Sequence, residues 1–515
     1  MQLKKLPIGI QSFSEIITGG YTYVDKTPFI ADLVHGGKYY FLSRPRRFGK
    51  SLLLDTIDCA FSGRRELFSG LHLDSPGSGW DFDTRHPVLR IDFAGGTLRT
   101  VSDLKERLSR ILDSWEEAYG LGVTWGSPGD RLLSIVPQIF SKTSRQMVIL
   151  VDEYDKPILD NLTNPSCATE LRDHLKDFYG AIKPLDQYLK FVFLTGVSKF
   201  AKTGIFSGLN NLDDITLDAR YSALCGYTQK DLENIFAGHL KDFDKNEVRG
   251  WYNGYSWTGE SVYNPFDILL FFSKGIFRPY WFETGTPTFL LKLWQLKPRL
   301  PAEYDGLVTG DDVLGSFDPE HIRIETLLFQ AGYLTIRSVV SNSYEGTWYT
   351  LGYPNREVRE SFNRLILTFI QNDNDQVPPP TVRNILESGN TEKLRDLFHS
   401  FFASIPSDNY RKNQISGFEG YYASVVYTYF ASSGYDVIPE DTTNKGRIDL
   451  TVKSRTGIWI FEFKVMGVDK SGEKSPLAQI KEKKYAEKYA SDSRKIYEIG
   501  IVFNPETRNI EKWEC

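Results

Sequence analysis

Residues 39–54 read Tyr39-Tyr40-Phe41-Leu42-Ser43-Arg44-Pro45-Arg46-Arg47-Phe48-Gly49-Lys50-Ser51-Leu52-Leu53-Leu54. An apolar run, a basic loop closed by Gly-Lys-Ser, and a second apolar run of helical character predict a strand–loop–helix unit. Such a unit is built to hold phosphate. Gly49 lets the backbone approach an anion, Lys50 reaches the β and γ phosphates of a nucleotide, and the Ser51 hydroxyl can hold Mg²⁺. The GxxxxGK[ST] pattern asks for glycine where this chain has Arg44. Taken alone, Gly-Lys-Ser fits an ordinary helix N-terminus equally well, so the surrounding elements decide the reading.

Working outward, Met147–Val151 is an apolar strand that ends in Asp152-Glu153. An aspartate there orders Mg²⁺, and the glutamate can polarise an attacking water. The next apolar run, Lys190–Leu194, ends in Thr195, a polar residue at a strand C-terminus, where ligand sites of open α/β sheets lie. With Val88–Ile91, these runs alternate with helical patterns over the first 225 residues and predict a mainly parallel sheet. Strands without polar alternation are those buried on both faces. Arg44, Arg46 and Arg47 carry two readings, solvated loop charges or neutralisation of phosphate charge, and Arg47 is counted with the nucleotide site.

The second informative stretch lies near the C-terminus. Gly446-Arg447-Ile448-Asp449-Leu450 opens one strand, and Ile460-Phe461-Glu462-Phe463-Lys464 sits in the next. Strand side chains alternate, so Glu462 and Lys464 share one face while Phe461, Phe463 and Val465 share the other. Asp449 can meet Glu462 across the hairpin. Two carboxylates beside a lysine hold Mg²⁺ or Mn²⁺ and steady an attacking hydroxide, which is what phosphodiester hydrolysis requires. A structural Glu–Lys pair, or a solvent-facing edge strand, is the plainer alternative. Upstream, Glu419 starts a helix whose Tyr422, Ala423, Val426 and Phe430 form an apolar face, and the acid is expected to point with it. Downstream, a charged helix over Leu477–Tyr489 carries Gln479, placed to orient the lysine or a phosphate.

Between these ends helical periods dominate, broken by the polar, proline-rich stretch Asn372–Pro380, a linker candidate. The expected division is residues 1–225, a mainly helical 226–400 and 401–515, in keeping with a 515-residue chain at roughly 150 residues per domain. Net charge is −5, so the chain does not bind nucleic acid merely by being basic throughout. Residues 440–515 carry 15 Lys and Arg against 13 Asp and Glu, a slight excess that favours a local nucleic-acid contact. The four cysteines are scattered and no metal-ligating Cys or His spacing occurs. No apolar run reaches the roughly 18 residues of a membrane span, and the N-terminus does not read as a signal peptide, so a reducing cytoplasm is the expected compartment.

Tyr23–Thr27, Leu42–Ser51, Asp152–Pro157 and Thr195–Lys199 resemble the bacterial AAA-ATPase-like proteins that are fused to a PD-(D/E)xK-type nuclease domain. That family uses Arg-Pro-Arg-Arg-Phe-Gly-Lys-Ser, so Arg44 departs from the general pattern but not from the family. The order Glu419, Asp449, Glu462-x-Lys464, Gln479 resembles the PD-(D/E)xK superfamily, and the same fused proteins carry both strand sequences. The resemblance implies an α/β protein: an N-terminal P-loop AAA-like domain, a helical middle and a C-terminal nuclease-like α/β domain. It implies an ATP-binding core without assigning the arginines one by one; the residues read above place ATP at Arg47, Gly49, Lys50, Ser51, Asp152 and Thr195, with Glu153 as the base. It further implies one divalent cation at Ser51 and Asp152 and another at Asp449 and Glu462. Lys464, Glu419 and Gln479 complete the second site, with nucleic acid, DNA foremost, as substrate and self-association among copies. The alternative is a nucleotide-dependent switch whose C-terminal domain only docks nucleic acid or a protein.

Overall fold

The computed structural model describes residues 3–200, 205–285, 301–314, 323–342, 344, 346–371, 379–405, 419–467 and 475–515. They form two compact units, 1–297 with 306–355, and 298–305 with 356–515. The stretch anticipated as a helical middle over 226–400 is therefore shared between the units at Asn355/Arg356. The linker candidate at 372–380 lies almost wholly outside the described residues.

In the first unit, β1 (Tyr39–Ser43), β2 (Val88–Asp92), β3 (Met147–Asp152), β4 (Leu189–Gly196) and β5 (Asp213–Asp214) make a parallel sheet in the order β2-β3-β4-β1-β5. All residues of β1 and β3 are buried, as their apolar runs predict. Strand β4 lies between β1 and β3, with Leu42 level with Thr195 and Val151 level with Leu194. The loops after β1, β3 and β4 therefore emerge side by side at one sheet edge. Helices α1 (Lys50–Phe61), α2 (Val101–Ala118), α3 (Pro128–Thr143) and α4 (Pro165–Gly180) flank the sheet. Thr100 and Ser127 close reciprocal capping boxes with Asp103 and Asp130, which fixes the starts of α2 and α3.

The rest of this unit holds α5 (Pro265–Lys274), β6 (Leu307–Gly310), α6 (Ile324–Ala331), β7 (Thr335–Asn342) and β8 (Gly346–Gly352), the strands ordered β6-β8-β7. Part of it forms a collar on the phosphate loop. The Phe48 ring meets Tyr255 and Trp257 edge-on at 4.8 and 5.4 Å. The Trp281 indole N–H donates to the Arg46 carbonyl at 3.1 Å, and the Arg47 guanidinium lies 4.9 Å over Phe266.

Arg44 is the collar's keystone. It is 0 % exposed, stacks on Trp257 at 4.0 Å, and donates to the carbonyls of Ser43, Thr216 and Tyr221 at 2.8–3.1 Å. Burial pushes its pKa down to about 10. Of the two readings of Arg44, neither the solvated charge nor the phosphate ligand describes it: it is a buried structural tie. Arg44→Gly restores the general P-loop pattern, yet it is expected to cost about 3 kcal/mol or more, because three carbonyls lose their buried donor. Urea unfolding followed by tryptophan fluorescence checks this; a variant as stable as the parent contradicts it.

The second unit contains α7 (Arg356–Gln371), α8 (Thr391–Ser404), α9 (Glu419–Ser432), β9 (Asp436–Thr443), β10 (Gly446–Lys453), β11 (Gly457–Val465), α10 (Pro476–Lys483), β12 (Lys495–Asn504) and β13 (Asn509–Glu514). The sheet runs β9-β10-β11-β12-β13, with only β11 and β12 parallel, as the crossover through α10 allows. Two edge strands, β9 and β13, extend the expected core. The charged helix is shorter than its predicted span: Lys484 takes φ 51°, ends α10 at Lys483, and starts a 3₁₀ turn over Tyr485–Tyr489. Among the described residues no helix is long and apolar enough to cross a membrane.

Candidate functional sites

The first site lies at the C-terminal edge of the parallel sheet. Gly49 holds φ +90° as the residue before α1, and a Cβ built there meets no atom within 4 Å. The loop therefore has open space beside its backbone and a helix N-terminus behind it, an arrangement that accepts an anion. Lys50 is buried beneath the loop and donates to the carbonyls of Arg44 and Pro45 at 2.9 Å each. Burial lowers its pKa, and the nearby charges of Asp152, Glu153 and Asp155 oppose that shift. Arg46, Arg47, Gly49, Lys50, Ser51 and Glu153 all line one cleft of about 510 Å³, together with Asp155.

Asp152 and Thr195 sit lower. Asp152 is 1 % exposed, and its Oδ1 accepts from the Thr195 hydroxyl at 2.9 Å and from the Glu153 N–H at 3.0 Å. The hydroxyl of Thr195 thus orients Asp152 and does not line the cleft. Glu153 takes φ 51°, a left-handed conformation that costs a glutamate energy and recurs at functional sites. Burial raises its pKa, and Lys50 counteracts this. Asp155, which sequence reasoning passed over, is 1 % exposed and accepts from the N–H groups of Val197 and Ser198 at 2.5–3.2 Å. It staples the turn after β3 to the turn after β4. Its signal in the sequence was its place within Asp152–Pro157, one of the stretches that carry the family resemblance.

The arrangement fits a nucleoside triphosphate with Mg²⁺. The donors are a lysine, loop N–H groups and arginines. The cation ligands available are a serine hydroxyl and carboxylates, the hard oxygen donors that Mg²⁺ prefers.

The second site lies on one face of the C-terminal sheet. The ladder between β10 and β11 ends at Leu450–Phe461. Beyond it Asp449 replaces the ladder, its carboxylate accepting from the Phe463 N–H at 2.8 Å. Glu462 is 3 % exposed and accepts a hydrogen bond from the Gln479 amide of α10. Gly500 of β12 stands beside Glu462, and a Cβ there would come within 2.5 Å of the Leu477 nitrogen. The missing side chain is what lets α10 settle close enough for Gln479 to reach Glu462. Lys464, half-buried, is near enough to favour the charged form of Asp449. Burial nonetheless dominates and pushes the Asp449 pKa up to about 6, with Glu440 adding to the rise.

Phe461 and Phe463 occupy the opposite face as expected, their rings parallel at 6.3 Å, with Phe430 of α9 on Phe461 at 5.6 Å. Helix α9 thus covers that face. Glu419 is its first residue, and its side chain lies outside the described residues. Among the described residues no group of three or more His, Cys, Asp or Glu side chains is placed to hold a metal ion. Asp449 and Glu462 are two carboxylates whose charges both reach Tyr485.

Two neighbours were missed. Tyr485 hydrogen-bonds Gln479 and feels the charges of Glu462 and Asp449, which together with burial raise its pKa. Glu440, at φ 51° in β9, pairs with Arg447 beside Asp449. Neither sits in a recognisable motif: Tyr485 is delivered by the break at Lys484, and Glu440 by an edge strand too polar to predict.

The two sites coincide with matches to known families. Residues 7–206 match the AAA-ATPase-like family, described as a predicted AAA-ATPase, and residues 417–513 match a family of the PD-(D/E)XK nuclease superfamily. The chain is also 47% identical over 513 residues to a protein of Azotobacter chroococcum mcd 1 named "Uncharacterized protein in vnfD 5'region", covering 99% of this chain and 98% of the relative.

Proposed function

The chain belongs to the family in which an AAA-ATPase-like module is followed by a PD-(D/E)XK nuclease superfamily domain, and from that premise we propose that it is an ATP-consuming, metal-dependent nuclease acting on nucleic acid, DNA foremost. The observation that supports this reading best is the use of buried charge. At each motif charged side chains are buried or half-buried: Lys50, Asp152 and Asp155 beside half-buried Glu153 at the first, and Glu462, held by the Gln479 amide, with half-buried Asp449 at the second. Burying such groups is costly unless a charged ligand or a reaction uses them.

At the first site Lys50 and the loop N–H groups hold the phosphates. Asp152 stays oriented by Thr195, and Glu153 takes a proton from water. At the second, Asp449 and Glu462 hold the cation, Gln479 fixes the Glu462 carboxylate, and Lys464 steadies the attacking hydroxide. A divalent cation bound there supplies Lewis-acid charge to the scissile phosphate. Nucleotide state biases the nuclease domain by favouring one conformation of the chain.

The test is purified protein with Mg²⁺ or Mn²⁺ on single- and double-stranded DNA and RNA, with and without ATP. Cleavage of at least one substrate is expected, and none on any substrate supports the docking alternative. Calorimetry of Lys50→Ala should show ATP affinity lowered about tenfold or more, since a charge-assisted contact is lost. Unchanged affinity in a folded variant removes the phosphate-site assignment.

A further inference from the structure

Arg44 carries a buried charge that its partners do not cancel. The three carbonyls and the Trp257 ring around it are all neutral. Two acidic groups act on it from nearby, Cys225 and Asp214. Cys225 is a buried thiol whose pKa burial raises, so it stays uncharged, and Asp214 is already paired with Lys199. A buried charge without a counter-charge is costly.

A cavity of about 10 Å³ adjoins Arg44, lined also by Thr216 and Gln330 and walled by Leu217, Leu314 and Phe329. That is room for a single small ligand, and too little for a phosphate group. Two buried nitrogens at this place have no hydrogen-bond partner among the described residues, Arg44 Nε and Gln330 Nε2. Their residues are 0 % and 5 % exposed. The amide of Gln330, on α6, is fixed by its other end: Oε1 accepts from the Lys199 N–H at 3.1 Å. The Thr216 hydroxyl accepts from the Ser43 N–H at 3.0 Å and keeps its own hydrogen to give.

The unused capacity of these three side chains is therefore donor capacity. A water in the cavity would also have to place two hydrogens of its own. A halide only accepts, and it brings the missing negative charge. We propose that the cavity is a chloride site, in which Arg44 Nε, Gln330 Nε2 and the Thr216 hydroxyl hold the ion. The Arg44 carbonyl takes a hydrogen bond from Lys50, so the ion secures the root of the phosphate loop. The inference does not depend on which ligand that loop takes.

The experiment is scanning calorimetry of the full chain in sodium chloride and in sodium gluconate at equal ionic strength, since gluconate is too large for the cavity. The wild type should melt about 2 °C or more higher in chloride, the shift expected of a filled site in a unit of this size. Bromide should act as chloride does, and crystals soaked in it should show an anomalous peak beside Arg44 Nε. Gln330→Leu removes one donor and should melt at the same temperature in both salts. Gln330→Glu keeps the bond from Lys199 and puts a carboxylate oxygen in place of the amide nitrogen. It supplies the counter-charge itself, so its melting should also be indifferent to chloride, which separates loss of the site from damage to the fold. A wild type that melts alike in both salts, or a bromide peak absent from the cavity, overturns the chloride site and leaves a water there. A chloride shift that persists in Gln330→Glu overturns it as well, because the ion then binds elsewhere.

Discussion

Asp449→Asn and Lys464→Ala should each reduce nucleic-acid cleavage by about 10³-fold or more while leaving ATP affinity unchanged. The first replaces a charged oxygen ligand with a neutral amide of the same shape. Its hydrogen bond from the Phe463 N–H is retained by the amide oxygen, so the strand junction survives. The second removes the cation that offsets charge on the attacked phosphate and on Asp449. Both residues belong to the unit that ends the chain, whereas Lys50 belongs to the other. Time courses on the substrate cut fastest, beside ATP calorimetry on the same preparations, give the result. Full cleavage by Lys464→Ala would sink the catalytic reading and favour the docking alternative.

Glu153→Gln should leave ATP affinity within about twofold and slow ATP hydrolysis about 10²- to 10⁴-fold, the range expected for loss of a general base. The amide keeps the size of the side chain, and the left-handed backbone at 153 is no less tolerant of glutamine than of glutamate. Asp152, tied to Thr195, keeps its place as a candidate ligand for the cation. Phosphate release under single-turnover conditions is the measurement. A variant that hydrolyses ATP at the parental rate moves the base elsewhere. A parent with no turnover in the presence of any nucleic acid points to a switch.

What could be read beforehand follows from how local each signal is. The strand–loop–helix at 39–54, the strand ending in Asp152-Glu153 and the alternation of Glu462 with Phe461 and Phe463 all depend on neighbours within a few residues, and the described fold agrees with them. Arg44 was open to two readings because its partners, Thr216, Tyr221 and Trp257, lie more than 170 positions away. Strands β9 and β13 escaped notice because edge strands tolerate polar stretches such as Glu440–Thr443 and the pair Glu511-Lys512. Tyr485 falls inside the charged helix expected over Leu477–Tyr489, whereas a non-glycine left-handed residue at Lys484 stops that helix, and such stops leave no compositional mark.

The collar around the phosphate loop bears on how such a protein is inherited and recombined. Every motif of the nucleotide site is encoded before residue 200, yet Trp257, Phe266 and Trp281 hold the loop's shape. The loop is thus not a portable cassette. A gene fusion or a trimmed fragment that ends near residue 225 carries the full signature and discards its mould. The unit that holds the loop closes only at Asn355, and residues 298–305 inside that span already belong to the other unit, so no single cut frees the module whole.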